Sequence, residues 1–176
     1  MTNTPNDAAS IVVSGSASQP RSTASHSPTA KVSGADMVPM LSIADLAAFM
    51  DSAFPDSDAS RQPQITYVGP GIVRMVLTPQ AHNLRPGQLV SGPTQMGLAD
   101  HAAYAVILAH IGPVAMAVTS NLNMSFLRGV AFEPVMAEAV LLKLGRRLAT
   151  VDVRLSQDSQ TGLVAQATVT YAIPAS

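Results

Sequence analysis

Residues 89–112 read LVSGPTQMGLADHAAYAVILAHIG, and this stretch decides the fold. Both of its ends are set by residue chemistry. Ser91 or Thr94 can cap a helix start through a side-chain oxygen, and Gly112-Pro113 stops one. The pattern predicts a helix over residues 92–110. Its residues are small or apolar nearly all round, so the helix must be enclosed by the rest of the domain. One residue breaks the pattern. Asp100 stands where an enclosed helix would take Leu or Ala, among Met96, Ala103, Tyr104 and Ile107.

What encloses the helix comes after it. AMAVTSNLNMSFL (115–127) alternates, with Met116, Val118, Leu122, Met124 and Phe126 on one side and Ala117, Thr119, Asn121, Asn123 and Ser125 on the other. EPVMAEAVLLKLG (133–145) reads as a second strand. RRLATVDVRL (146–155) is a third, with Ala149, Val151, Val153 and Leu155 on one face. TGLVAQATVTYAIP (161–174) is a fourth, with Leu163, Ala165, Ala167, Val169, Tyr171 and Ile173 on one face. QDSQTG (157–162) predicts a tight hairpin between the last two. Consecutive strands with short connections make an antiparallel sheet, and a sheet with one apolar face has to cover it.

Before the helix, MLSIADLAAFMDSAFP (40–55) predicts a short amphipathic helix, with Ser42 as cap and Leu46, Phe49 and Met50 at helical spacing. Pro55 is expected to end it. QITYVGPGIVRMVLTP (64–79) predicts two strands around Gly69-Pro70-Gly71, a turn sequence. Residues 80–92 are expected to be a loop. The fold class that follows is α+β: a curved antiparallel sheet wrapped around a long central helix, with a short N-terminal helix. Residues 1–36 are rich in Ser, Thr, Ala and Pro and are expected to form a disordered tail. Residues 37–62 then hold the N-terminal helix and a linker, and 63–176 the main domain.

Composition narrows the function classes. Charged residues make up 12% of the chain and the net charge is -1, which does not suit a nucleic-acid binder. There is no Cys, so disulfides, thiolate metal sites and a Cys nucleophile are excluded. The longest apolar run, residues 102–109, is too short to span a bilayer, and no secretory leader pattern opens the chain. A cytoplasmic protein is the default expectation. The four His residues form no ligand cluster, so no metal is expected. His110, at the helix end, would suit the dipole as a cation. No G-x-S-x-G nucleophile elbow is present.

Three stretches together carry a resemblance: GLADHAAYAV on the helix, NMSFLRG closing the next strand, and GRRLATVDVRLSQDSQTGLVAQATVTY near the end. In them, and over roughly residues 63–174, the chain resembles the hotdog-fold acyl-CoA thioesterases of the phenylacetate-pathway (PaaI) type. The resemblance implies an acyl-CoA thioester hydrolase that needs no metal or cofactor. It implies Asp100 as the carboxylate that attacks or activates water, Gly92 as the source of the backbone N–H for the thioester oxygen, and Thr119 as the hydroxyl that steadies water or carboxylate. It implies a homodimer or homotetramer with shared sites, each taking its amide from one chain and its Asp from another.

The candidates for substrate contact are Ser91, Gln95, Asn83 and Arg128. Arg128, Arg146 and Arg147 can meet the phosphates of coenzyme A, and are equally ordinary solvated charges at strand ends. The family's His-Gly-Gly at the helix start is Ser91-Gly92-Pro93 here. Pro93 has no N–H, but Gly92 keeps its own. The departure leaves a second reading open, a noncatalytic protein of the same fold that binds acyl-CoA or another apolar ligand.

Overall fold

A computed structural model describes residues 37–54 and 62–175 of the chain. The expected tail and Pro55 lie outside the described residues. Helix α1 spans Ile43–Ala53, and strands β1 (Gln64–Gly69) and β2 (Ile72–Leu77) form the first hairpin. Helix α2 spans Gly92–Ile111 and is followed by β5 (Val118–Phe126), β6 (Val135–Leu144), β7 (Leu148–Ser156) and β8 (Ala165–Ala172). Between β2 and α2 the expected loop is more ordered than its sequence suggested. A 3-10 turn at Ala81–Asn83 leads into a two-residue hairpin, β3 (Leu84–Arg85) with β4 (Leu89–Val90). Its strands are too short to show any alternation, so periodicity could not find them.

The main sheet has six antiparallel strands in the order β1-β2-β6-β7-β8-β5. It curves round α2, which packs against five of them. The alternation expected in β7 and β8 holds. Ala149, Val151, Val153 and Leu155 are buried on β7, as are Ala165, Ala167, Val169 and Tyr171 on β8. Every residue of α2 from Ala102 to His110 is buried. Gly112 ends the helix with φ 84, a left-handed conformation that Gly adopts without steric cost.

Helix α1 is capped as expected. Ser42 Oγ accepts from the Asp45 N–H at 3.2 Å, and Leu46 and Met50 turn inward. The chain just before it is tied to the far end of α2, because the Met40 and Leu41 N–H groups both donate to Ala109 O (2.7 and 3.3 Å).

Three further expectations need correction. The β7–β8 connection is not tight. It runs from Gln157 to Val164, and Gln157 is buried there, accepting from Ala131 N–H (2.9 Å) and donating to the Ala131 and Glu133 carbonyls. A buried Gln with several backbone partners holds a longer loop closed. His110 is not a helix-end cation. Its ring is buried, its Nε2 accepts from Gly71 N–H at 2.9 Å and its Nδ1 faces Val106 O at 2.7 Å. An acceptor Nε2 places the ring proton on Nδ1 and makes the ring neutral in this arrangement. Gly71 itself turns the β1–β2 hairpin at φ 67.

The third correction concerns β5. The regular alternation expected there breaks at Ser120, where a β-bulge separates the pairs Thr119↔Tyr171 and Asn121↔Thr170. An inserted residue reverses which way the chain's side chains point. Leu122 and Met124 lie toward the core, as expected. Beyond the bulge, Val118 pairs with Ala172 and is exposed, and Thr119 shares the inner face with Tyr171.

Candidate active site

The start of α2 is built by residues on both sides of it. Ser91 is the N-cap, accepting the Thr94 N–H at its Oγ (3.4 Å), and its own N–H donates to Asn83 O (2.8 Å). Asn83 also takes the Thr94 hydroxyl on its carbonyl (3.2 Å) and the Gln80 N–H on its Oδ1 (2.8 Å). Gln95 N–H reaches back to Ser91 O (3.1 Å), and Pro93 has no N–H to give. The Gly92 N–H is therefore the one donor of the first turn left without a partner among the described residues. Gly92 lines a cavity of about 530 Å³ whose walls also include Arg85, Gln95, Phe126 and Arg128. A Cβ at Gly92 would meet the Phe126 ring at 3.5 Å, ordinary contact.

Of the expected substrate contacts, Gln95 and Arg128 share that cavity with Gly92. Ser91 and Asn83 do not line it, because their polar atoms shape the helix start. Gln95 is only 5% exposed. Its Nε2 donates to Val90 O (3.1 Å), and its buried Oε1 has no partner among the described residues. The Arg128 guanidinium donates to Thr161 O.

Asp100 belongs to a second cavity, of about 270 Å³, with Phe54, His101, Tyr104, Thr119 and Tyr171 among its walls. The apolar setting expected from its sequence neighbours is not what surrounds the carboxylate. Its Oδ1 accepts two hydroxyls, Thr119 Oγ1 at 2.7 Å and Tyr171 OH at 2.8 Å. Thr119 makes the first of these contacts from the inner face that it shares with Tyr171. Asp100 and Gly92 lie about 12 Å apart along the helix axis, eight residues at the α-helical rise. In one chain they face separate cavities.

The surroundings of Asp100 are aromatic. Tyr104 and Tyr171 stack with centroids 5.9 Å apart and planes 25° from parallel. The Phe54 ring lies 5.9 Å from His101 and 6.1 Å from Tyr104. Phe54 and His101 also wall a third cavity, of about 330 Å³, between α1 and β1. Burial holds the His101 imidazole below its usual range, with the neighbouring Asp100 charge pulling the other way. Burial first, and then the Asp100 charge, push the Tyr171 phenol up, although its hydrogen bond with Thr119 works against them.

Tyr171 is the site residue that sequence reasoning passed over. It read as one more apolar position on the inner face of β8. A signal was available, since a buried Tyr needs a partner for its hydroxyl, and the helix under that face carries a single carboxylate. Among the described residues no group of three or more His, Cys, Asp or Glu is placed to hold a metal ion, and no helix is long and apolar enough to cross a membrane.

A six-stranded antiparallel sheet curved round one long helix, with a carboxylate and an open amide on that helix, defines the hotdog class. Residues 87–164 match the family model of the thioesterase superfamily. The chain is 37% identical to a protein from Silicibacter sp. TM1040, provisionally assigned as a thioesterase. That match covers 78% of this chain and 95% of the other, with a TM-score of 0.71. A phenylacetic acid degradation-related protein from Ralstonia eutropha JMP134, with the same provisional assignment, is 26% identical over 71% of this chain and 98% of its own, with a TM-score of 0.61. A protein of Thermoplasma acidophilum, provisionally assigned as an esterase, is 24% identical over 90 residues, 51% of this chain and 67% of the other. The chain belongs to the hotdog-fold thioesterase superfamily and is of the PaaI type.

Proposed function

We infer that this protein hydrolyses acyl-CoA thioesters, with Asp100 as base or nucleophile and the Gly92 N–H as oxyanion donor. The observation that carries this reading is the Asp100 carboxylate, held by Thr119 and Tyr171 at a cavity wall while its Oδ2 has no hydrogen-bond partner among the described residues. A carboxylate kept only for solubility needs no such clamp.

In the base route, Asp100 Oδ2 takes a proton from water as the water oxygen bonds to the thioester carbon. The carbonyl electron pair moves onto oxygen, where the Gly92 N–H would receive it as a hydrogen-bond donor. Collapse then breaks the C–S bond, the proton passes to sulfur, and the acid and coenzyme A leave. In the nucleophile route, Oδ2 bonds to that carbon itself, the thiolate leaves, and water cleaves the resulting anhydride.

Gly92 and Asp100 face different cavities in one chain, so a thioester that meets both takes them from two chains. An edge strand supports such pairing. β5 lies at the edge of the sheet and, with its flanks, exposes Met116, Val118, Phe126 and Leu127. A homodimer, or a tetramer of two dimers, is the assembly proposed. Gln95 and Arg128 are then the substrate contacts of the Gly92 cavity, with Arg128 meeting coenzyme A phosphate, and Ser91 and Asn83 act through the shape of the helix start. The protein is taken to be cytoplasmic, where acyl-CoA is found.

The test is a panel of acyl-CoA thioesters assayed with a thiol reagent. Asp100→Asn is expected to cut hydrolysis at least about a hundredfold, the low end for a general base, and to keep a melting temperature close to that of the wild type. A fully active Asn variant would overturn the reading. Tight acyl-CoA binding without turnover by the wild type would replace it with the ligand-binding alternative, which the Ser91-Gly92-Pro93 departure favours.

A further inference from the structure

Asp100 presents two oxygens, and the structure treats them differently. A carboxylate oxygen has two lone pairs. On Oδ1 both are taken, one by Thr119 Oγ1 at 2.7 Å and one by Tyr171 OH at 2.8 Å. Oδ2 has no partner among the described residues. The two donors come from neighbouring strands, since Thr119 and Tyr171 are paired residues of β5 and β8. The Tyr171 ring cannot swing aside easily. It is 3% exposed and stacks on Tyr104, whose own hydroxyl donates to Ala115 O at 3.2 Å. The Tyr171 hydroxyl also lies 3.2 Å from the main-chain oxygen of Asp100, so it contacts both ends of the residue it holds.

We propose that Tyr171 is a positioning residue for thioester cleavage: with Thr119 it occupies Oδ1, fixes the plane of the Asp100 carboxylate, and makes Oδ2 the oxygen that reacts. This rests on the acyl-CoA thioesterase reading and adds which atom acts and what holds it. An Asp side chain free to turn about χ2 would offer either oxygen in many directions, because that torsion is broad. Held at one oxygen from two sides, it offers the other in one direction, and reacting atoms aligned in advance are a large part of enzymic rate. The titratable groups facing the phenol are Asp100 and Tyr104. Burial and both neighbours keep the phenol protonated, so it stays a donor across the working pH range.

Tyr171→Phe keeps the ring and the stack and removes only the hydroxyl. Its kcat is expected to fall about ten- to a hundredfold, the scale of a misplaced reacting group, with KM within about twofold. In the Asp100→Asn background the same change is expected to alter the residual rate less than about twofold, since coupled residues are not additive. A residue that only supports the fold would lower the melting temperature and reduce both rates alike.

Thr119→Val removes the other donor to Oδ1 and leaves Tyr171 in place, which serves if the Phe variant does not fold. Its kcat is expected to fall by a similar factor, with KM within about twofold and less than about twofold further loss in the Asp100→Asn background. Full kcat in Tyr171→Phe, or in Thr119→Val where the Phe variant does not fold, overturns the proposal while an inactive Asp100→Asn leaves the thioesterase reading standing. An active Asp100→Asn overturns both.

Discussion

The two halves of α2 differ in composition and in surroundings: Gly92–Asp100 holds two Gly, a Pro, a Thr, a Gln and an Asp, and Ala102–His110 is apolar except for Tyr104 and His110. From Ala102 to His110 every residue is buried, and even the polar one, His110, spends both ring nitrogens on the backbone. From Gly92 to Asp100 the sheet has begun to let go. Pro93 and Gly97 are exposed, Met96 is 39% exposed, and one amide and one carboxylate oxygen are left without partners among the described residues. The difference teaches that the more polar half of this helix is also the half that the sheet leaves open. What separates the halves is how far the sheet wraps. The rear half holds the domain together and the front half is available to a ligand.

The largest expected effect breaks the rear half. Ile107 is fully buried, and Ile107→Ala should cost about 2–5 kcal/mol of stability, the usual range for opening a cavity in a core. Chemical denaturation measures it, and a loss below about 1 kcal/mol would mean that this half is not the structural one. The front half should respond in rate and not in stability. Gly92→Pro deletes the open N–H at a helix position that tolerates Pro, where the preceding Ser91 already has the extended conformation that Pro requires (φ -69, ψ 155). Its kcat should fall about 10²–10³-fold, the effect of losing one oxyanion donor, in a protein that melts near the wild-type temperature. Unchanged turnover would remove Gly92 from the mechanism.

The smallest effect sits where the halves meet. The His101 imidazole is held by burial below its usual value of 6.5. The unfolded chain therefore takes up a proton first as pH falls, so stability is lost from about pH 6.5 downward and is unaffected above it. Melting temperatures between about pH 7.5 and 5 should drop more steeply for the wild type than for His101→Gln. Asp100→Asn removes the charge that partly offsets the burial and should steepen the drop. Equal slopes in all three proteins would contradict the assignment.

The fold was readable because its signals are local. Ser42, Ser91 and Gly112 mark helix ends through their own chemistry, and the alternation of Ala149, Val151, Val153 and Leu155 needs no partner strand to be seen. The roles of Asp100 and Gly92 came from resemblance, whereas their places on the helix came from its caps and apolar pattern, and the structure has both on α2. The facing of Thr119 was misread for a physical reason. Alternation presumes an unbroken ladder, and a bulge is a property of two strands that only one of them carries. Tyr171 was passed over for a related reason. Its neighbours in sequence are apolar, and its partner lies on a helix 71 residues away.

The bulge has a consequence in heredity. It amounts to one residue, Ser120, between two stretches of β5 that both pair with β8. Strand geometry counts residues in twos, so a gene that lost this one codon would join Thr119 directly to Asn121 in an unbroken ladder, with Thr119 still opposite Tyr171. The contact between strand and carboxylate thus survives loss of the extra residue, because Ser120 itself pairs with nothing on β8. A relative whose alignment opens a one-residue gap here would lack the bulge and keep the use of its Thr119.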